Sequence, residues 1–170
     1  MMRTIVPSAI GDVVLGDDVL EIGPGYGAAT DVVSELVPQL TAVEIDKELV
    51  DLLVERFGNQ SHVHVLQGDA TALDLADDRF TGAICFTMLH HVPSIELQDK
   101  LFGEVHRVLR SGAALVASDN LANDDLEKGH AGDTYNPVDP TTLTTRLEAA
   151  GFHDVRVTTN PYAWQAVAFA

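Results

Sequence analysis

Apolar runs alternate with stretches of helical periodicity along the chain from residue 19 onwards. Residues 46–57 and 97–109 carry apolar side chains at the three- and four-residue spacing of an amphipathic helix. A third helix is predicted over 140–150, with Pro140 in its first turn and Gly151 just past its end. The short apolar runs suit buried strands and span residues 19–22, 39–45, 62–67, 80–86 and 113–118. This alternation predicts a doubly wound α/β fold with a mostly parallel sheet.

The end of the chain breaks the alternation. Residues 153–159 and 164–170 read as two strands separated only by a short turn at Asn160-Pro161, so they must be antiparallel neighbours. We therefore predict a seven-stranded, Rossmann-like sheet with an antiparallel last strand, in a single domain over 1–170. Residues 121–138 are polar and contain Gly and Pro, which predicts a mobile loop.

Three glycines at alternate positions end the first strand. They are Gly23, Gly25 and Gly27, in the segment Glu-Ile-Gly-Pro-Gly-Tyr-Gly. Glycine permits positive φ and lets a ligand approach the backbone without a Cβ in the way. A helix is predicted from Ala28, and the first N–H groups of a helix have no intrahelical partner. The turn is therefore predicted to hold a cofactor against the main chain.

Two families share such a turn. With Ala28 as its last position, the segment fits the dinucleotide pattern Gly-x-Gly-x-x-Ala, which keeps a nicotinamide-dependent oxidoreductase open. Glu21 before the first glycine, and a third glycine at Gly27, instead resemble the first motif of class I S-adenosylmethionine-dependent methyltransferases. Within that class the chain resembles the small-molecule enzymes of methyltransferase domain families 11 and 25, whose sheets also end antiparallel.

Two carboxylates extend the resemblance. Glu44 ends the second strand, where an acid can accept both ribose hydroxyls, although a helix-capping acid is the alternative and Asp46 is the better cap. Gly68-Asp69-Ala70 resembles the adenine motif of the family, with an Asx turn as the alternative. The resemblance implies that S-adenosylmethionine is the cofactor. The residues it places around the cofactor are Glu21, Gly23, Gly25, Tyr26, Gly27, Glu44, Ile45, Asp69, Ala70, Phe86 and Thr87.

The fourth strand runs into a Leu-His-His segment that resembles the stretch beside the methionine half of the cofactor in small-molecule methyltransferases. His90 or His91 is therefore the predicted catalytic base, with a packed or capping histidine as the alternative. Adjacent residues do not face one point on a regular strand or helix, so at most one is expected to reach the acceptor. Further candidates on the acceptor side are His130, Tyr135 and Asp119.

Charge and composition narrow the partners. The formal net charge is −16, from 26 acids and 10 bases. Nucleic acids and anionic membranes bind basic surfaces, so we predict that neither is a partner. A single cysteine excludes an internal disulfide, and no apolar leader is apparent, so a cytoplasmic location is predicted. Asp119-Asn120 resembles part of a catechol-type magnesium site, but the segment after the fourth strand lacks the second Asp, so no metal is predicted.

The predicted function is methyl transfer from S-adenosylmethionine to an N, O or C atom of a small-molecule acceptor. Only about 18 residues precede the first strand, too few for the closing helices of such enzymes. A second subunit in a homodimer, the 121–138 segment, or a large substrate could cover the site instead. A non-catalytic S-adenosylmethionine-binding or partner module is the remaining alternative.

Overall fold

A computed structural model describes residues 2–130 and 132–170 of the chain. Within these residues there is one sheet of seven strands, with helices on both of its faces. The strands are β1 Asp18–Ile22, β2 Gln39–Glu44, β3 Val63–Gln67, β4 Phe80–Phe86, β5 Leu109–Asn120, β6 His153–Thr159 and β7 Ala163–Phe169. The α-helices are α1 Met2–Ile10, α2 Thr30–Val33, α3 Lys47–Phe57, α4 Ile95–Val108, α5 Asp124–Gly129 and α6 Leu143–Ala149.

The sheet has the strand order β3-β2-β1-β4-β5-β7-β6. Strands β1 to β5 are parallel, and β7 is antiparallel to both β5 and β6. The predicted fold class is therefore confirmed, including its antiparallel last strand. The chain moves outward from β1 to β3 and then returns to β4, so the strand order reverses between β1 and β4. Ligands bind at such a switch point, outside the carboxyl ends of the strands; we call this end of the sheet the carboxyl edge.

Successive side chains of the central strands point to opposite faces of the sheet, where they pack into two separate hydrophobic cores. Val19 and Ile84 pack on one face with α1, α2 and α3, whereas Leu20 and Ile22 pack on the other with α4 and α6. Because both faces are covered, β1 and β4 are buried along nearly their whole length rather than at alternate residues. The two cores hold the carboxyl edge rigid from both sides.

Several elements differ from their predicted bounds. The helix after the glycine turn begins at Thr30 rather than at residue 28, and α2 has only four residues. The strand predicted from residue 113 begins at Leu109, which pairs with Phe80. Gly112, near the start of β5, has a positive φ of 80°. The pairing register of β4 and β5 shifts near this residue.

Two regions contain local structure that the sequence pattern did not predict. The expected loop over 121–138, of which residue 131 lies outside the described residues, contains α5. The helix predicted from Pro140 starts as a 3₁₀ turn, Pro140–Thr142, because the Asp139 carboxylate accepts from the backbone N–H of Thr141. Across the described ranges, every helix is too short or too polar to cross a bilayer. The cytoplasmic location stays a prediction.

Candidate active site

The glycine turn lies at the carboxyl end of β1 and leaves open space at its centre. Gly23, Gly25 and Gly27 all have positive φ, at 63°, 56° and 79°. A Cβ added at Gly23 would approach the Met88 side chain to 2.8 Å, whereas one at Gly25 would meet no heavy atom of the described chain within 4 Å. The surface above Gly25 can therefore accept a ligand at van der Waals distance from the backbone.

The backbone N–H groups of the three glycines donate within the protein. Gly23 donates to the carbonyl of Val43 at 3.0 Å, and Gly27 donates to that of Pro24 at 2.8 Å. Gly25 donates to Glu44 Oε2 at 3.0 Å. At the start of α2, by contrast, the backbone N–H groups of Ala28, Ala29 and Thr30 have no acceptor among the described residues. The turn therefore offers a ligand close approach and shape, and the prediction of free N–H groups at the helix start stands.

Glu44 fastens the end of β2 to this turn. Besides Gly25, its carboxylate accepts from the backbone N–H groups of Ile45 at 2.8 Å and Asp46 at 3.0 Å. The side chain is buried, and a carboxylate has about four acceptor positions, so three donors leave room for a further one. Asp46, as predicted, is the N-cap of α3 and accepts from Glu48 and Leu49. Because Asp46 caps α3, the alternative interpretation of Glu44 as the helix cap does not apply.

Glu21 is a carboxyl group beneath the turn, 2% exposed. Burial raises its pKa to about 7, and the neighbouring carboxylates of Asp31 and Glu44 add to the rise. The nearby Thr30 hydroxyl lowers the pKa of Glu21 and so partly offsets the effect of burial. Neither Glu21 Oε2 nor the Thr30 hydroxyl, both buried, has a partner at full hydrogen-bonding distance among the described residues. Unpartnered buried oxygens of this kind suit a site that a cationic or donor-rich ligand completes.

Three of the remaining cofactor candidates, Asp69, Tyr26 and Ile45, are exposed. Asp69 forms the Asx turn that was its alternative, since Oδ1 accepts from both the N–H and the hydroxyl of Thr71 at 2.8 Å. Its second oxygen remains able to accept, and the side chain is exposed at the end of β3. Tyr26 and Ile45 expose 72% and 64% of their surfaces. Ala70 is half-buried beside Asp69.

His90 lies in a 3₁₀ turn, Leu89–His91, that follows β4. Its Nδ1 is 2.7 and 2.9 Å from the two oxygens of Asp119, and its backbone N–H donates to the same carboxylate at 3.1 Å. Both side chains are buried, at 6% and 2% exposure. Because a carboxylate only accepts, the hydrogen belongs on Nδ1 and the lone pair on Nε2.

Two further histidine rings lie against His90. The ring centroids of His90, His91 and His130 are 4.2, 5.0 and 5.1 Å apart in pairs, and we call these three residues the histidine cluster. Tyr135 stacks on His130 at 4.9 Å. The two adjacent rings therefore lie side by side, and the expectation that at most one of them reaches the acceptor stays a prediction. Burial, followed by the charge of His90, lowers the pKa of His91.

Thr87 connects β4 to this turn with a φ of 52°. A β-branched residue in the left-handed region is strained by roughly 1–3 kcal/mol, and such strain concentrates at functional sites. Its N–H donates to the carbonyl of Ser118 at 2.8 Å, which holds the ends of β4 and β5 together. Phe86, just before it, is buried and supports the turn from below.

The segment 121–138 covers the histidine turn. Asn136 donates from its backbone N–H to the carbonyl of His90 at 2.7 Å and from its side chain to that of Val92 at 3.0 Å. Gln98 donates to the carbonyls of Leu89 and Asn136. Asn136 therefore fastens part of this segment to the histidine turn, and which of the three ways covers the site stays a prediction.

The carboxyl edge thus collects residues from five strands. The turn and Glu44 follow β1 and β2, Asp69 follows β3, His90 follows β4, and Asp119 lies at the end of β5. Thr30, Gln98 and Asn136 were not predicted to belong to the site. Gln98 carried one usable signal, since it is a polar residue, 1% exposed, on a helix face that is otherwise apolar.

Solved structures share this architecture. The chain superposes on a SAM-dependent methyltransferase from Aquifex aeolicus with a TM-score of 0.76 and 20% identity, covering 98% of this chain and 88% of that one. Phosphoethanolamine N-methyltransferase 2 of Haemonchus contortus, in complex with S-adenosyl-L-methionine, gives 0.81 and 13%, covering 98% of this chain and 51% of that one. Likeness at this level of identity shows the fold alone.

Curated relatives match over a shorter stretch. Ribosomal RNA small subunit methyltransferase A of Cupriavidus pinatubonensis is 54% identical over 61 residues, which is 35% of this chain and 21% of that protein. The chain therefore spans about a fifth of the length of the curated relatives it matches. The prediction that nucleic acid is no partner is contradicted by these relatives and is wrong as an inference from net charge. A sum over the whole chain says little about the local cations that contact phosphates.

A family described as methyltransferase domain matches residues 20–117, more than half of the chain. The match contains the glycine turn, Glu44, Asp69 and the histidine pair after β4. It decides against the nicotinamide-dependent alternative and confirms the predicted enzyme class and cofactor. The chain belongs to the methyltransferase domain family, the class I methyltransferases whose cofactor is S-adenosylmethionine.

Proposed function

We propose that the chain transfers the methyl group of S-adenosylmethionine to an acceptor atom held at the histidine cluster. The observation that carries this proposal is the buried Glu44 carboxylate, which joins the glycine turn to the end of β2 at the switch point of the sheet. When bound, the cofactor supplies a methyl group already activated by its sulfonium. The chain then contributes mainly proximity and orientation.

The carboxyl edge offers a partner for each part of the cofactor. Glu44 accepts from one ribose hydroxyl with its remaining lone pair, and Asp69 accepts from the adenine amino group with Oδ2. The open surface at Gly25 fits a chain that passes close to the backbone. Glu21 supplies negative charge beneath a cofactor that carries positive charge. Tyr26, Ile45, Ala70, Phe86 and Thr87 complete the proposed binding surface.

On the acceptor side, we assign His90 as the base. Asp119 fixes the imidazole with its hydrogen on Nδ1, which leaves the Nε2 lone pair for a proton from an O–H or N–H group. The imidazolium formed in this way is stabilised by the buried carboxylate against which it lies. His91 is more exposed and lacks such a close partner, so it is the second candidate.

A small-molecule acceptor is favoured by the cover over the histidines. Segment 121–138 is fastened to the turn by the hydrogen bonds of Asn136 and Gln98, so an acceptor reaches His90 beneath or beside it. The names of the curated relatives make small-subunit ribosomal RNA the second acceptor to test. Transfer of radiolabelled methyl to a small-molecule fraction supports the first assignment, and transfer to that RNA alone overturns it.

Cofactor binding is tested by calorimetry with S-adenosylmethionine and S-adenosylhomocysteine. Glu44→Ala is expected to weaken both ligands by at least about tenfold, or 1.4 kcal/mol. Glu48→Ala, which removes an exposed acid in the first turn of α3, is the matched control and keeps the wild-type affinity. Equal affinities in the two variants would contradict the ribose assignment.

A further inference from the structure

The histidine cluster has the ligands and the supporting hydrogen bonds of a metal centre. We infer that His90, His91 and His130 form a site for one divalent transition-metal ion of the zinc type. One nitrogen from each of these residues lies within 4.8 Å of the others. The sequence predicted no metal because the segment after the fourth strand lacks the second Asp of a catechol-type magnesium site. A histidine site was not predicted there, since His130 is about 40 residues from the other two histidines.

In two of the three rings Nδ1 faces an acceptor, which leaves Nε2 for coordination. His90 directs Nδ1 at the Asp119 carboxylate at 2.7 Å, and His130 directs Nδ1 at the backbone carbonyl of Leu126 at 2.7 Å. Both partners are acceptors, so each Nδ1 carries the hydrogen and each Nε2 carries the lone pair. Metal-ligating histidines almost always donate their second nitrogen to a carboxylate or carbonyl in this way.

The third ring and the local charge agree with an ion. His91 Nδ1 is 3.6 Å from the Asp133 carboxylate. If His91 binds the ion through Nε2, its Nδ1 therefore faces an acid. Asp119 and Asp133 together carry the two negative charges that would balance a divalent cation. The Tyr135 hydroxyl, beside His130, is buried without a hydrogen-bond partner among the described residues and could accept from or donate to a fourth ligand.

The donor set selects the class of ion. Three imidazoles suit zinc, copper, nickel, cobalt or iron, whereas magnesium and calcium prefer oxygen. Zinc with three protein ligands keeps a fourth, open position, as in catalytic rather than structural sites. Bonds of about 2.0–2.1 Å require the nitrogens to close by at most about 1.5 Å. The exposed His91 and the loop-borne His130 can supply this movement.

The inference does not depend on the proposed methyl transfer, because the site can be loaded without cofactor or acceptor. The protein, freed of metal by a chelator, is titrated with zinc in competition with a chromogenic indicator. It is then loaded with cobalt alone, whose visible absorption reports coordination geometry. We expect one ion per chain and the intense absorption of a four-coordinate cobalt site.

Variants distinguish this site from adventitious binding. His91→Ala and His130→Ala are each expected to weaken zinc by about tenfold or more and to abolish the cobalt spectrum, and both positions are exposed enough to keep the fold. Asp119→Asn, which acts through His90, is expected to lower affinity by about 10–100-fold. His64→Ala, an exposed histidine on β3, is the control and leaves zinc binding unchanged. Binding that resists His91→Ala and His130→Ala, or that His64→Ala reduces equally, overturns the site.

Discussion

Replacing Glu21 by glutamine tests whether the carboxyl group beneath the glycine turn opposes folding at neutral pH. Burial raises the pKa of this group from 4.5 in the unfolded chain to about 7 in the folded protein. Between these values the unfolded chain releases a proton that the folded protein keeps. The free energy of unfolding therefore falls as the pH rises through this window, and the loss is complete above pH 7.

The size of the effect follows from the same shift. A difference of about 2.5 pH units, at 1.36 kcal/mol each, corresponds to about 3 kcal/mol. Glutamine is close in shape to the protonated acid and cannot ionise, so Glu21→Gln removes the loss. We expect the variant to exceed the wild type by about 3 kcal/mol at pH 8, and by less than about 1 kcal/mol at pH 5. In a domain of this size, 3 kcal/mol is roughly 6–12 °C in Tm.

Urea denaturation at the two pH values measures the difference. Trp164 is the single tryptophan and is fully buried, so its fluorescence reports unfolding. Glu55→Gln, the same change on the exposed face of α3, is the control and is expected to show no pH-dependent gain. If Glu21→Gln and wild type differ equally at pH 5 and pH 8, the carboxyl group does not titrate on folding and the reasoning is refuted.

A buried acid that opposes folding is understandable if the cofactor uses its charge. S-adenosylmethionine is cationic, and a cation near Glu21 would stabilise the ionised form. At pH 8 the ligand is therefore expected to raise the Tm of the wild type more than that of Glu21→Gln. An equal rise in both would assign the acid to the fold alone.

Three other outcomes follow from the geometry of the site. Asp119→Asn is expected to lower kcat by about 100-fold or more, since the amide no longer holds the His90 tautomer; an unchanged kcat would exclude His90 as the base. Gly82→Ala is expected to cost about 1–3 kcal/mol in urea denaturation, because its Cβ would lie 2.5 Å from the Leu15 carbonyl oxygen. One equivalent of zinc is expected to slow methyl transfer, since the ion and the acceptor's proton compete for the same Nε2 lone pair. His91→Ala should relieve that inhibition, and a rate that zinc leaves untouched would separate the ion from the base.

The regular part of the fold could be predicted because its signal is local. Most of the central strands are short apolar runs, and the apolar faces of α3 and α4 repeat with helical spacing, so their bounds agree with the sequence within about two residues. The exception is β5, which begins four residues before its predicted start. The glycine turn and Glu44 were predictable for a related reason. Both directly follow a strand, and parallel strands bring their carboxyl ends to one edge.

The acceptor side of the site could not be predicted from the sequence in the same way. His130 and Tyr135 were candidates, but their contact with His90 depends on how a polar segment without periodicity folds back over β4. That path is fixed by hydrogen bonds of Asn136 and Gln98 to backbone carbonyls, which leave no pattern in the sequence. Net charge misled for a different reason, because it averages over a surface whose local composition decides which partner binds.

Calorimetric titration of S-adenosylmethionine into wild type, Gly25→Ala and Gly112→Ala tests the central claim most directly. Both glycines have positive φ, at 56° and 80°, and at both an added Cβ meets no heavy atom of the described structure within 4 Å. Alanine therefore strains both backbones by a similar amount, about 1–2 kcal/mol. Gly112 lies at the opposite end of the sheet, near the start of β5. Loss of affinity by at least about tenfold in Gly25→Ala alone places the cofactor on the glycine turn. Equal affinities in the two variants, or no binding by the wild type, would contradict that claim.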